Sequence, residues 1–410
     1  MKIFIFLKKY GFLIVLLYLC GFFTPDLAPK VSLLELDLNT LNEVKSGSDS
    51  FKQFFWISLT FLYLVLFFKE KSNPLYQLAL KELKLPFLFF GVSLLIFFIS
   101  CFWSNFISLT VKRTLFQLLL FWVLVQSYIF SVLTGQLVNN VRALCIFIIA
   151  MIVFSIVIGS GVNPYFELAG FSKSKNIMGA TLAFLIVFSH IIFVSNNKLK
   201  ENKKILLILG LFLIFTVSKT SIILVALYFL LTQLSSIVNR AFTFFAVFSV
   251  LCLFIVFPYI SYLANDFWNI SMFVDSSFMT GRGAIWENIY HDLYYFEKIN
   301  LGYGYGSYFG TPITPYFFDD EYSFMQYINS AHNGYIELLS QVGIFSLFII
   351  ISYFFIFYRK TSNVCISALS FPIFYNISEP AFFRDQHIVW ILCLLLICVA
   401  HISRPNIQRV

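Results

Sequence analysis

Apolar runs close to or above the ~18 residues needed to cross a bilayer recur along almost the whole chain, separated by short polar stretches. They predict twelve helices, at 10–23, 53–68, 86–103, 115–133, 143–160, 177–194, 205–217, 221–234, 241–260, 334–357, 363–379 and 387–402. The seventh and eighth are short and separated only by Ser218-Lys219-Thr220. They read either as two tilted spans or as a re-entrant pair, and the second needs surrounding protein. The strand alternative would show ~10-residue alternating segments, and none occur. One long polar island, 261–333, breaks the pattern. The chain therefore divides into nine membrane helices over 1–260, a large loop with an amphipathic helix over 261–333, and three membrane helices over 334–410.

Composition narrows this to an all-α polytopic membrane protein. The chain of 410 residues is 60% hydrophobic and 12% charged, with 54 phenylalanines, which excludes an ordinary soluble domain. All seven cysteines fall within predicted spans, so neither a disulfide framework nor a metal site is indicated. The five histidines are scattered without metal-ligand spacing. Lys2, Lys8 and Lys9 precede the first apolar run as in a signal peptide, but Thr24-Pro25-Asp26-Leu27-Ala28-Pro29 is a poor cleavage site. The expectation is an uncleaved first span.

Charge sets the orientation. The net charge of +8 does not form a basic domain, which excludes nucleic-acid binding. More than half of the 28 Lys and Arg lie in the shorter loops on the N-terminal side, including Lys69, Lys71, Arg142, Lys198, Lys203, Arg240, Arg404 and Arg409. Most of the 20 acidic residues lie on the other side. The positive-inside rule then puts both termini in the cytoplasm and the 261–333 loop outside. ATP and nucleotide sugars are cytoplasmic, so chemistry in that loop needs a substrate that arrives already activated. A lipid pyrophosphate carrying a glycan, anchored at the same interface, meets this need.

A few polar residues stand out against the apolar background. Residues 284–298 form an amphipathic helix with Ile285, Ile289, Leu293 and Phe296 on one face. Arg282 at its start would combine a bidentate charge with free backbone N–H groups, an arrangement suited to phosphate. It would alternatively pair with Asp275, Glu287 or Asp292. His332 stands at the entry to the tenth span, and an imidazole is the side chain best suited to act there as a general base for an acceptor hydroxyl. Asn333, Glu337 and Gln341 follow at intervals of four as a polar stripe, serving either as interhelical hydrogen-bond glue or as functional groups. Lys219 is the only charge between Leu206 and Gln233 and needs an anion, a carboxylate or a substrate phosphate. Lys112, Arg113, Lys173 and Lys175 read as snorkelling anchors on the external side. Glu379-Pro380 and Arg384-Asp385 make a charged external turn, where Glu379 pairs with Arg282 or Lys219 or lies in water. Gly302-Tyr303-Gly304-Tyr305-Gly306 lacks the strand–turn–helix context of a dinucleotide loop and reads as a tight bend.

Several of these segments resemble the O-antigen ligase family of bacterial membrane proteins, which includes ligases and related polysaccharide polymerases. The residues that carry the resemblance are Gly281-Arg282-Gly283-Ala284-Ile285-Trp286, Leu301-Gly302-Tyr303-Gly304, His332-Asn333-Gly334-Tyr335-Ile336 and Gln341-Val342-Gly343-Ile344. Weaker echoes are Phe102-Trp103-Ser104 with Lys112-Arg113, and Asn176-Ile177-Met178-Gly179. The resemblance implies a GT-C-like, multi-spanning glycosyltransferase in the bacterial inner membrane that needs neither nucleotide nor metal. Its donor would be a glycan on undecaprenyl pyrophosphate, and its acceptor lipid A–core or a second lipid-linked glycan. Arg282 and His332 are the implied catalytic pair. Lys219, Asn333, Glu337, Trp286 and Arg113 are the implied substrate-binding residues, with Asn333 and Glu337 orienting His332 or the acceptor. Where relatives carry Ser-Arg between the seventh and eighth spans this chain has Ser218-Lys219, which keeps the cation and loses the fork. O-antigen ligase is the leading function and polysaccharide polymerase the alternative. A flippase or transporter is the rival from another class, but no internal repeat supports it.

Overall fold

The computed structural model describes residues 2–30, 50–264, 278–311, 328–360 and 362–402. Asp275, Arg404, Arg409 and the 265–277 and 312–327 parts of the polar island lie outside the described residues. Among the described residues there is no strand, only one isolated bridge between Val162 and Leu168.

Sixteen α-helices are described: α1 Lys2–Leu19, α2 Ser50–Glu70, α3 Pro74–Glu82, α4 Lys84–Ile99, α5 Ile107–Leu133, α6 Leu137–Val157, α7 Lys175–Ser195, α8 Leu199–Phe215, α9 Lys219–Gln233, α10 Ser236–Leu251, α11 Phe257–Leu263, α12 Phe278–Tyr295, α13 Gly334–Val342, α14 Phe345–Lys360, α15 Asn363–Ser378 and α16 Ile388–His401. Each predicted span coincides with a helix or pair of helices. Six helical segments are long and apolar enough by length and composition to cross a membrane: Ser50–Glu70, Lys84–Phe102, Ile107–Leu133, Leu137–Val157, Lys175–Ser195 and Ser236–Leu263. Side chains close the first turn where apolar segments resume, with Ser174, Ser235 and Ser362 capping α7, α10 and α15.

Burial separates a core from a rim. In α16 every residue from Ile388 to Cys398 is buried, and α7 and α5 are buried over most of their length. α2 and α10 instead turn Phe54, Phe61, Phe244, Phe245 and Phe248 outward. In water such a surface would aggregate; against lipid it is the natural exterior. α8 also turns Leu207, Leu211, Ile214 and Phe215 outward, so it lacks the enclosing protein that a re-entrant segment needs.

Polar contacts sort into two ends, as alternating spans require. At one end Lys8 pairs with Glu70, Asn140 Nδ2 donates to the Lys9 carbonyl at 2.9 Å, Arg142 Nε donates to Asn202 Oδ1 at 2.7 Å, and Asn239 Nδ2 donates to Asn363 Oδ1 at 2.8 Å. At the other end Asp26 N bonds the Phe171 carbonyl at 2.9 Å, Leu168 N bonds the Phe215 carbonyl at 2.9 Å, and Trp103 Nε1 bonds the Leu301 carbonyl at 3.0 Å. α8 thus begins at the first end, where Glu201 meets Arg142, and finishes at the second.

Two expected spans are interrupted, each for a local reason. The ninth passes through a π-helical turn, Cys252–Val256, between α10 and α11. Pro258 has no N–H to return to the Phe254 carbonyl, and Tyr290 Oη fills the vacancy at 3.0 Å while Tyr294 Oη donates to the Pro258 carbonyl. These bonds dock α12 on the membrane helices. The tenth, expected as one helix over 334–357, breaks into α13 and α14 at Gly343. Gly343 has φ +59°, an added Cβ would overlap the Asn300 backbone, and Ile344 N bonds the Asn300 carbonyl at 3.2 Å.

Gly343→Ala therefore meets both a steric and a backbone penalty and is expected to lower the unfolding temperature of the detergent-purified protein by many degrees. Gly210→Ala, in α8 with nothing within 4 Å of the new Cβ, serves as the control. It should be neutral or stabilising by about 1 kcal/mol.

Candidate active site

The site lies at the second end of the bundle and joins three chain segments. α12 begins at Phe278, ahead of Gly281-Arg282-Gly283, and Gly281 within it has φ +87°. The expected helix start at 284, with Arg282 before it, is corrected: Arg282 is a helical residue and acts through its side chain. On the apolar face of α12, Ile285, Ile289 and Leu293 are buried as expected, but Phe296 follows the helix and is exposed.

Glu379 is the hub. Arg282 Nη2 donates to Glu379 Oε1 at 2.9 Å, and Arg282 Nη1 donates to the Ser378 carbonyl. His332 Nδ1 lies 3.3 Å from Glu379 Oε2. One carboxylate thus holds the guanidinium with one oxygen and the imidazole with the other, resolving the alternatives left open for Arg282 and Glu379. The side chains of Arg282, Glu379 and His332 are 23%, 26% and 37% exposed, so a ligand at this end can reach all three. Burial pushes the Glu379 carboxyl up, but the His332 bond and the charges of His332, Arg282 and His387 outweigh it, and its pKa falls below the ordinary 4.5. Glu379 is therefore ionised at neutral pH. With Nδ1 facing Glu379, Nε2 is the ring nitrogen of His332 turned away from the carboxylate.

The backbone around His332 is held from three directions. His332 itself has φ +49°, a left-handed conformation that costs roughly 1–2 kcal/mol outside glycine. Immediately before it, the Ala331 carbonyl accepts from Trp286 Nε1 at 2.9 Å and Ala331 N donates to Glu337 Oε2 at 3.1 Å. Just after it, Asn333 Oδ1 caps α13 by accepting from Tyr335 N at 2.9 Å and Ile336 N at 3.2 Å. Trp286, Asn333 and Glu337 are each at most 8% exposed. Their side chains are engaged with the protein's own backbone. The ring of His332 meets Glu379, and among the described residues no hydrogen bond joins it to Asn333 or Glu337.

The glycine-rich bend is likewise seated on the site. Tyr303 N and Gly304 N bond the Ser340 and Gln341 carbonyls at 2.9 and 2.8 Å, and Gly306 N bonds Gln341 Oε1 at 3.1 Å. Arg113 closes it from outside: Nη1 donates to the Gly306 carbonyl and, at 3.2 Å, to that of Phe309, while Nη2 donates to the Gly310 carbonyl at 3.3 Å. A Cβ at Gly306 would strike the Arg113 side chain. Arg113 is thus engaged with three carbonyls of the bend. Lys175 pairs with Glu167.

Lys219 is exposed at the first position of α9, which lies along α15, so it occupies the same end as Glu379. Among the described residues no hydrogen bond or ion pair joins it to Arg282, Glu379 or His332. The pairing of Glu379 with Arg282 is one of the sequence's alternatives; its second contact, to His332, has no signal there beyond a carboxylate placed where an apolar helix ends. Nothing in the sequence marks Gln117 or Asn376 as an anchor for a loop. Gln117 is fully buried and bonds the Phe383 carbonyl at 2.8 Å and Trp390 Nε1 at 3.0 Å, and Asn376 Oδ1 accepts from Ala381 N and Phe382 N.

The sequence pattern of the family described as O-antigen ligase matches residues 205–351. No curated protein and no solved structure matches the chain. The matched segment contains Lys219, Arg282 and His332, whereas Glu379 and Arg113 lie beyond it on either side.

Two substitutions test this construction. Glu379→Gln keeps the shape but removes the charge joining Arg282 to His332, and is expected to cost roughly 1–3 kcal/mol of stability at neutral pH by thermal melting. Because the folded-state pKa is lowered, the wild-type increment is present above pH 4.5 and disappears as pH falls through the lowered value; in the variant this acid-side loss should vanish. Trp286→Phe retains the ring but not the bond to Ala331, and should reduce any activity that depends on His332 about tenfold while leaving substrate affinity nearly unchanged.

Proposed function

We propose that this chain, which carries an O-antigen ligase family segment at residues 205–351, is a membrane glycosyltransferase that moves a glycan from undecaprenyl pyrophosphate to an acceptor sugar hydroxyl. The observation that carries the reading is the Glu379 bridge, which sets a phosphate-binding guanidinium and a proton-accepting imidazole side by side.

His332 Nε2 takes the proton of the acceptor hydroxyl as its oxygen attacks the anomeric carbon. The bond from that carbon to the pyrophosphate oxygen breaks, and undecaprenyl pyrophosphate leaves with the electron pair. Arg282 stabilises the negative charge that gathers on the leaving oxygens, an electrostatic contribution that needs donors fixed in advance. Glu379 holds the imidazole in the reactive tautomer and stabilises it once protonated. Trp286, Glu337 and Asn333 position the His332 backbone, Arg113 positions the bend, and Lys219 supplies a second cation toward the pyrophosphate. Twelve spans with both termini cytoplasmic put this end on the periplasmic face of the inner membrane, where the activated lipid is available. Transfer to lipid A–core, the O-antigen ligase reaction, is the function proposed; extension of a lipid-linked glycan is the polymerase outcome of the same chemistry.

His332→Ala is expected to lower transfer by at least 10³-fold in proteoliposomes supplied with lipid-pyrophosphate glycan, with donor binding retained. Near-normal turnover would remove the base from the mechanism. Gel analysis of a deletion strain separates the two outcomes: a ligase deletion leaves lipopolysaccharide without any O-antigen, and a polymerase deletion leaves core with a single repeat unit. The native cysteines are buried or half-buried, so introduced thiols report sidedness cleanly. Asn105→Cys should react with an impermeant maleimide in cells whose outer membrane alone is opened, and Lys200→Cys only after the inner membrane is permeabilised.

A further inference from the structure

Three arginines stand at the active end, and two of them are engaged. Arg113 is bonded to three carbonyls of the glycine-rich bend, and Arg282 to the Ser378 carbonyl and Glu379. Arg384 is different. Among the described residues its guanidinium makes one hydrogen bond, from Nη2 to the Asn329 carbonyl at 3.3 Å, and forms no ion pair. Glu337 and Asp385 lie within its electrostatic reach without bonding to it. Asn329 is three residues before His332 and exposed, so the guanidinium tip sits beside the loop that carries His332, with most of its five N–H donors uncommitted among the described residues.

The base of this side chain is rigid. Arg384 lies in the turn from α15 to α16, where Phe383 and Gln386 have φ +55° and +56°. Such conformations persist only when the surroundings over-determine them. Here Asn376 Oδ1 accepts from Ala381 N at 2.9 Å and Phe382 N at 3.1 Å, and the Phe383 carbonyl accepts from Gln117 Nε2 at 2.8 Å and Tyr305 Oη at 2.6 Å. Phe383 also packs on Trp390 with ring centroids 4.2 Å apart and on Phe97 at 5.0 Å. Arg384 N bonds the Ala381 carbonyl and its own carbonyl accepts from His387 N, both at 3.2 Å. A strained, clamped backbone thus presents a planar cation, with donors uncommitted among the described residues, beside the loop that carries His332.

Building on the function proposed above, we propose that Arg384 is a phosphate-binding residue that grips a phosphate oxygen of a lipid-linked substrate while Arg282 is tied to Glu379. A guanidinium is suited to this task because its fork matches phosphate geometry. The phosphate belongs either to the donor pyrophosphate or to the acceptor lipid.

The test uses full-length protein in proteoliposomes with Arg384→Gln and Arg384→Lys, each checked by thermal melting. KM for donor and for acceptor are measured separately, and binding of undecaprenyl pyrophosphate itself is measured without turnover. Arg384→Gln is expected to raise one KM about tenfold with kcat changed less than threefold, and Arg384→Lys to recover part of it. A rise in donor KM with weakened undecaprenyl pyrophosphate binding assigns the donor; a rise in acceptor KM alone assigns the acceptor. Unchanged values for both substrates, in protein whose wild type transfers and whose His332→Ala variant does not, overturn the Arg384 assignment and leave the function standing. If the wild type transfers nothing, the function fails. Binding of undecaprenyl pyrophosphate and of the acceptor lipid then decides, a tenfold loss for either in Arg384→Gln supporting the assignment and equal binding of both overturning it.

Discussion

A carboxylate at the rim of an apolar helix bundle keeps its charge only when cations or donors sit against it, because losing water without replacement costs several kcal/mol. Glu379 meets that requirement by drawing Arg282 and His332 to its two oxygens. Each comes from a different part of the chain: one from α12, one from the loop before α13, and the carboxylate from the end of α15. The electrostatic demand of one side chain therefore determines where three segments meet, and that meeting point is the site.

The same demand is met repeatedly by other polar groups. Gln117, Asn376, Glu337 and Gln341 all project from helices that are otherwise apolar, and all end on backbone N–H or C=O groups of the loops at one end. A loop at a membrane surface would ordinarily be mobile, but here its backbone bonds are supplied by the helices beneath it. The result is a His332 held in a left-handed conformation between a tryptophan, a glutamate and a cap. Preorganisation of this kind is what a base and an anion-stabilising cation require, since donors fixed beforehand need no rearrangement during reaction.

The site is also composite along the sequence. The family segment at 205–351 brings the guanidinium and imidazole, while Gln117 and Arg113 in α5 and the turn after α15 supply the support. Phe97 stacks on Tyr305 at 4.0 Å and meets Phe383 edge-on, so aromatic packing ties α4, the bend and the last turn into one block. Substitutions far from 205–351 can for this reason disturb the reacting groups.

The sequence by itself determined the all-helical membrane class, because apolar run length is a local property read directly along the chain. It also singled out Arg282 and His332, whose side-chain chemistry is unusual at the edge of oily segments. It did not determine their junction: Glu379 lies 97 residues from Arg282, and only packing of α12 against α13 and of α13 against α15 closes that gap. Nor did it reveal that Asn333 and Glu337 face the backbone or that the tenth span breaks at Gly343. An intramembrane polar residue announces that it needs a partner; which partner it takes depends on which helices touch, and that is decided by tertiary packing.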